Sequence, residues 1–213
     1  MGVIFINQKS FNFNNIEIKL HPNVYDPAED SFQIIESIKI NNNDKVFEIG
    51  TGCGLIALFC TNLGANVICS DINPYSVKLV KQNYEDNKSN LKGSLEVRYG
   101  DFFSVLKKNE KFDVIIFNPP YLPIIEKDFI SKQDWIDIAT NGGIDGLKLI
   151  KRYILNVSKY LEKNGHAYFI FSSLCDRDKL NIYLNKSGLK SRIVSSGKFD
   201  DEKIDVYSLS KIE

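Results

Sequence analysis

The chain of 213 residues has no excess charge of either sign: 27 Lys and Arg balance 27 Asp and Glu. A protein that holds nucleic acid through its overall field carries a basic surplus, so only a local basic groove is left open. Proline is scarce at 6 residues, and no Pro- or Gly-rich stretch, internal repeat or block of like charge divides the chain. No apolar run approaches the roughly 18–20 residues that a membrane span needs. The apolar start, Met1–Ile6, is too short for a secretory signal and has nothing basic before it. Ile6 also occupies the position where a myristoylation signal requires Ser or Thr. The 4 cysteines, Cys53, Cys60, Cys69 and Cys175, have spacings that match no zinc site. With no signal peptide they read as reduced core residues of a cytoplasmic protein, not as a disulfide framework, and no metal is expected.

What is present is ordinary for a folded domain: 43% hydrophobic and 25% charged residues. The length suits one domain over 1–213, with an N-terminal extension and helix in 1–40 and a core in 41–213. Runs rich in Asn, such as Asn41–Asn43, read as compositional bias. Pro27–Ile38 reads as a helix with Glu29 and Asp30 in its first turn, the right sign for its dipole. Strands and helices then alternate. Val46–Ile49, Val67–Ser70, Leu95–Tyr99, Phe112–Phe117 and His166–Phe171 read as strands. Leu55–Leu63, Pro74–Tyr84, Leu147–Leu161 and Arg177–Asn185 read as helices. This order means an open, mostly parallel α/β sheet. Ser191–Ser195 and Ile204–Leu209 have no helix between them, so the last strand should run antiparallel.

Four segments carry chemistry, and each follows a strand. Glu48-Ile49-Gly50-Thr51-Gly52-Cys53-Gly54 places three glycines where the chain must turn into a helix and approach a ligand closely. Leu55 stands where a dinucleotide fingerprint would have its third glycine, and Glu48 would repel a pyrophosphate but attract a cation. Asp71 ends the next strand, where open sheets present an acid to ribose hydroxyls. Asp101 follows the third strand and can accept from an exocyclic amine, with Phe102 beside a purine ring. Together these describe a pocket for a nucleoside without phosphate. Asn118-Pro119-Pro120-Tyr121 is the most specific segment. Two prolines fix φ and offer carbonyls without competing N–H groups. The side-chain oxygen of Asn118 and the carbonyl of Pro119 can receive both hydrogens of one planar NH2, with Tyr121 against its face.

The ordered set of Glu48, Gly50 to Gly54, Asp71, Asp101 and Asn118 to Tyr121 resembles class I S-adenosylmethionine-dependent methyltransferases acting on an amide or exocyclic nitrogen. Val24-Tyr25-Asp26-Pro27-Ala28-Glu29-Asp30-Ser31-Phe32 and Asn141-Gly142-Gly143-Ile144-Asp145-Gly146-Leu147 resemble stretches of the HemK family of release-factor glutamine methyltransferases, in its archaeal and eukaryotic branch. The resemblance implies a Rossmann-like seven-stranded sheet, mostly parallel with an antiparallel last strand, and S-adenosyl-L-methionine as cofactor. It implies cofactor contacts from Tyr25, Ser31, Glu48, Gly50, Gly52, Asp71, Asp101, Phe102 and Asn118. Asn118, Pro119, Pro120 and Tyr121 would serve catalysis. Relatives often carry an aliphatic residue where Phe102 stands, a small change if its backbone N–H meets the adenine.

The resemblance also implies a translation release factor as protein substrate, methylated on the glutamine of a Gly-Gly-Gln loop. A small zinc-binding activator is a further implied partner, paired with an exposed sheet edge; Leu95–Tyr99 should be that outer strand. Residues 122–139 read as the loop that meets the substrate, with Trp135 as platform or anchor. His21 and His166 read as structural. A nucleic-acid amino-methyltransferase acting on adenine N6 or a similar amine fits the same four residues. It would need a basic face or an added recognition domain, of which the zero net charge and single-domain length give no sign. A non-catalytic methyltransferase-like subunit would have lost one of the motifs. A dehydrogenase is opposed by Leu55, Glu48 and the Asn-Pro-Pro-Tyr segment.

Overall fold

The computed structural model describes residues 9–124 and 134–212. The Met1–Ile6 stretch and the middle of the segment expected to meet substrate, 125–133, lie outside the described residues. Among these residues the chain builds a seven-stranded sheet with helices on both faces, preceded by a hairpin. The strands of the large sheet are β3 (Lys45–Ile49), β4 (Asn66–Asp71), β5 (Ser94–Tyr99), β6 (Phe112–Phe117), β7 (Leu161–Ser172), β8 (Leu189–Phe199) and β9 (Glu202–Lys211). Their order is β5-β4-β3-β6-β7-β9-β8, with β5 at an edge as expected. β3 pairs parallel with β4 on one side and with β6 on the other, and β9 runs antiparallel to both β7 and β8.

The order reverses beside β3, which goes left to β4 and right to β6. A crevice opens at such a switch point outside the carboxyl ends of the strands. Strand alternation divides the core accordingly. Val46, Val114 and Ile116 face α1 (Glu29–Ser37), α2 (Leu55–Asn62) and α3 (Pro74–Asn87). Phe47, Ile49, Ile115 and Phe117 face α5 (Lys148–Ile154) and α6 (Arg177–Ser187). Such near-continuous apolar strands are what a sheet covered on both faces requires. All 4 cysteines are buried and none is in a disulfide.

Two elements differ from the expectation. The helix expected over Leu147–Leu161 stops at Ile154; a 3₁₀ turn, Val157–Lys159, follows, and Leu161 already pairs with Phe112 in β7. Leu147, Ile150, Tyr153, Ile154 and Val157 are all buried, so the apolar spacing runs on past the helix end and conceals it. Residues 134–140 are not all loop: α4 (Trp135–Thr140) starts at Asp134 with a capping box closed by Asp137.

The N-terminal hairpin, β1 (Ser10–Phe13) and β2 (Ile16–Lys19), was not anticipated. Asn14 and Asn15 both have positive φ, 50° and 63°, the conformation of a two-residue hairpin turn that Asn tolerates. Helix α3 holds this hairpin through two side-chain amides. Asn83 accepts from Lys19 N at 3.0 Å and donates to Lys19 O at 3.1 Å and to Cys53 O at 2.9 Å. Asn87 accepts from Glu17 N at 2.9 Å and donates to Glu17 O at 2.8 Å. The two amides thus act as a partner strand for one edge of β2 and tie it to the glycine loop.

Candidate active site

Every residue expected to touch the cofactor or serve catalysis lines one cleft at the carboxyl ends of β3, β4, β5 and β6. These are Tyr25, Ser31, Glu48, Gly50, Gly52, Asp71, Asp101, Phe102 and Asn118, Pro119, Pro120 and Tyr121. Its walls come from the N-terminal extension, the four strand ends and α4.

After β3 the chain turns back through Gly50 and Gly52 at φ 67° and 57°, values that cost most side chains about 1 kcal/mol or more. A Cβ on Gly52 would meet nothing within 4 Å, so that glycine serves the turn and leaves the backbone bare to the cleft. Gly50 N and Thr51 N donate to Ser70 O, and Gly52 N donates to Asp71 Oδ2 at 3.0 Å. Asp71 Oδ1 accepts from Asn73 N at 2.8 Å. The acid therefore also fixes the loop, and burial raises its pKa. Glu48 is 2% exposed and accepts from Thr51 Oγ1 at 2.7 Å. Desolvation pushes its pKa up to about 8, against the opposing Thr51 hydrogen bond.

Asp101 stands at the rim with its carboxylate already engaged. Arg152 Nη1 donates to both of its oxygens, at 2.8 and 2.7 Å, and the guanidinium lies 4.4 Å from the centroid of the Phe102 ring. The expected stacking of Phe102 on a purine gives way to another arrangement. Its ring is 5% exposed and packs edge-on against Phe103 and Phe117. Its backbone takes φ 53°, and the residue lines the cleft next to Asp101.

The Asn-Pro-Pro-Tyr turn is anchored from the extension. Asn118 Nδ2 donates to Asp30 Oδ2 at 3.2 Å and to Ser31 Oγ at 3.4 Å, and Tyr121 OH donates to the same Asp30 oxygen at 3.3 Å. Asn118 Oδ1 is buried and has no hydrogen-bond partner. A buried acceptor left unmade costs about 1–3 kcal/mol, the mark of a group held for a ligand. Burial beside Asp30 pushes the Tyr25 hydroxyl up to about 12 and raises Tyr121 as well, so both remain neutral phenols. Trp135 lines the mouth of the cleft. His21 and His166 stay outside it: His21 accepts from Asn23 N and stacks on Tyr75, and burial lowers the His166 pKa.

Asp30 was given no site role in the sequence reading, which took it as a helix-dipole acid within a family-like stretch. Its neighbours in the motif were the available signal. Four carboxylates, Asp30, Glu48, Asp71 and Asp101, line the cleft, and among the described residues no Lys, Arg or His does. Burial keeps Glu48 protonated near neutral pH and Arg152 pairs with Asp101, yet a lining whose ionisable side chains are acids still suits a cation better than a phosphate. A doubly covered sheet with β9 antiparallel, a glycine loop after β3 and acids at successive strand ends define a class I methyltransferase. S-adenosyl-L-methionine is the cofactor of that class. The acid lining, the bare glycine backbone and the unmatched Asn118 oxygen fit its cationic sulfonium and an incoming NH2.

Comparison with known proteins agrees. The profile of the methyltransferase small domain family matches residues 15–191. The chain is 39% identical over 196 residues to a putative protein N5-glutamine methyltransferase of Methanocaldococcus jannaschii, covering 91% of this chain and 94% of that one. It is 32% identical over 178 residues to a release factor glutamine methyltransferase of Clostridium acetobutylicum; the match covers 78% of this chain and 60% of that longer protein. In fold it is similar to the E. cuniculi Mtq2-Trm112 complex responsible for methylation of the eRF1 translation termination factor. There the TM-score is 0.67 and the identity 19%, over 89% of this chain and 99% of that one. The chain belongs to the methyltransferase small domain family, as a HemK-type class I S-adenosylmethionine-dependent methyltransferase.

Proposed function

We propose that this protein methylates the side-chain amide nitrogen of a glutamine in a Gly-Gly-Gln loop of a translation release factor. The observation that carries the reading is the buried, unpartnered Asn118 Oδ1 at the head of the Asn-Pro-Pro-Tyr turn. The names of the similar N5-glutamine and release factor methyltransferases support the substrate. Among the described residues no basic side chain lines the cleft, which weighs against a polynucleotide substrate.

In this reading Ser31, Glu48, the backbone at Gly50 and Gly52, Asp71, Asp101 and the Phe102 main chain would hold the cofactor, with Tyr25 as a further contact. When bound, the cofactor supplies an electrophilic methyl on a sulfonium. An amide nitrogen is a poor nucleophile because its lone pair is delocalised into the carbonyl. Asn118 Oδ1 and Pro119 O receive its two hydrogens and turn the lone pair toward the methyl. As the nitrogen becomes cationic, the same oxygens stabilise the charge. Preorganised polar groups of this kind contribute about 2.7–4 kcal/mol each, by analogy with oxyanion-hole donors. Pro120 stiffens the turn and Tyr121 flanks the amide. No strong base is required, because the cationic nitrogen gives up its proton to water.

The chain would act as one catalytic domain over 1–213, in the cytoplasm where release factors work. No helix among the described residues is long and apolar enough to cross a membrane. A small zinc-binding activator would pair with the edge strand β5, where Tyr99 is 67% exposed. Analytical ultracentrifugation with and without such an activator tests that pairing; a chain monomeric in both would exclude it.

The substrate is tested by incubating labelled S-adenosylmethionine with a release factor carrying the Gly-Gly-Gln loop, then locating the label by mass spectrometry. Label on the glutamine is expected; label only on oligonucleotides would overturn the reading. Asn118→Ala should lower kcat at least about hundredfold, with cofactor affinity largely kept.

A further inference from the structure

Asn118 has a planar amide with a donor end and an acceptor end, and catalysis as read above works with only one orientation. If the amide were turned through 180°, Oδ1 would face the Asp30 carboxylate and Nδ2 would face the cleft, offering hydrogens to an NH2 that needs acceptors. The backbone of the turn does not decide between the two. Asp30 does. Asp30 is buried at 5% exposure, and its carboxylate oxygen accepts from Asn118 Nδ2.

The carboxylate is itself fixed. Its Oδ1 accepts from Ser31 N at 2.6 Å and from Ser31 Oγ at 3.1 Å, which leaves Oδ2 aimed at Asn118 Nδ2 and Tyr121 OH. We propose that Asp30 is the positioning residue of the methyl-transfer site: its Oδ2 sets the orientation of the Asn118 amide, so that Oδ1 faces the substrate nitrogen, and holds the Tyr121 end of the same turn. This rests on the reading that Asn118 Oδ1 accepts from the substrate. Asp30 touches neither substrate nor cofactor in this role; it acts through Asn118.

The pattern of donors gives an unusual test. In Asp30→Asn the new amide must keep its oxygen on Ser31 N, so its NH2 faces Asn118. Asn118 then turns its oxygen toward that NH2 and its own NH2 into the cleft. In Asn118→Asp a second carboxylate faces Asp30 with no donor between them. Combined, the exchange restores the pattern. The amide introduced at position 30 donates to one oxygen of the carboxylate introduced at position 118, and the other oxygen faces the cleft as an acceptor.

Each single variant should lose about a hundredfold or more in kcat with the release factor, with the cofactor dissociation constant within about threefold of wild type as evidence of an intact fold. The exchange variant Asp30→Asn/Asn118→Asp should regain at least about tenfold over either single variant, a reciprocal rescue that a merely structural role would not give. Wild-type kcat in Asp30→Asn, or an exchange variant no better than the singles, would overturn the proposal. Asn118→Ala in the same assay separates the two readings. If it turns over normally, the role of Asn118 fails and that of Asp30 with it. If it is inactive while Asp30→Asn is normal, only the role of Asp30 fails.

Discussion

Gly142 lies against the backbone of Tyr121: a Cβ on Gly142 would come within 2.7 Å of the Tyr121 carbonyl carbon and 2.8 Å of its Cα. Gly142 N donates to Leu122 O and Leu122 N donates to Thr140 O. The two motifs of the sequence, Asn-Pro-Pro-Tyr and Gly-Gly-Ile-Asp-Gly-Leu, are therefore one packed unit. Gly142→Ala should displace Tyr121 and with it the reacting geometry. A shift approaching 1 Å costs about a hundredfold, so kcat should fall by that order while cofactor affinity, measured by calorimetry, stays near wild type.

Arg152 covers Phe102 and holds Asp101 at the rim of the cleft. The pair is exposed, at 42% and 54% for the two side chains, so its contribution to stability is small, about 0–1 kcal/mol. Arg152→Ala should thus leave the melting temperature within about 4 °C of wild type. It should weaken cofactor binding by about threefold to tenfold, because Asp101 loses its orientation. A titration of cofactor into the variant checks this.

Glu48 makes stability depend on pH. Its folded pKa is about 8 against its ordinary 4.5, so between those values the folded chain holds a proton that the unfolded chain has released. Raising the pH through this window therefore favours unfolding: the penalty is absent below 4.5, grows up to about 8 and is then constant. Glu48→Gln removes it. Thermal melts of the free proteins should coincide near about pH 5 and separate by about pH 8.5, the variant melting higher by at least ~2–4 °C for each kcal/mol.

The N-terminal hairpin depends on Asn83. Asn83→Ala removes an acceptor for Lys19 N and a donor to Lys19 O and Cys53 O. Unmatched partners of this kind cost about 1–3 kcal/mol. The melting temperature should fall by about 2–12 °C, and amide hydrogen exchange at Glu17 and Lys19 should quicken before that of β3.

The strands of the sheet were legible because they are buried on both faces and read as short apolar runs with turn residues after them. That Glu48, Gly50, Gly52, Asp71, Asp101 and Asn118 share one cleft was legible because each lies at or next to a strand end, and a parallel sheet brings such ends to one edge. Tyr25 and Ser31, in the extension, were reached only through the motif resemblance. The end of α5 was not legible, since Val157 continues the apolar spacing through a turn that β7 enforces by pairing Leu161 with Phe112. The β1–β2 hairpin was hidden because Asn14-Asn15 looks like the rest of an Asn-rich composition, and the partners of β2 are side chains 64 and 70 positions away.

By itself the sequence determined the class of fold, the charge of the cleft and the identity of the donors and acceptors in it, since these follow from local pattern and residue chemistry. Only the tertiary structure decided which way those groups face. Asp30 reaches Asn118 across 88 positions and Arg152 takes Asp101 across 51. Gly142 fits under Tyr121 only because the turn after β6 returns to it. Orientation of an amide or a carboxylate is set by its neighbours in space, and no spacing along the chain encodes it.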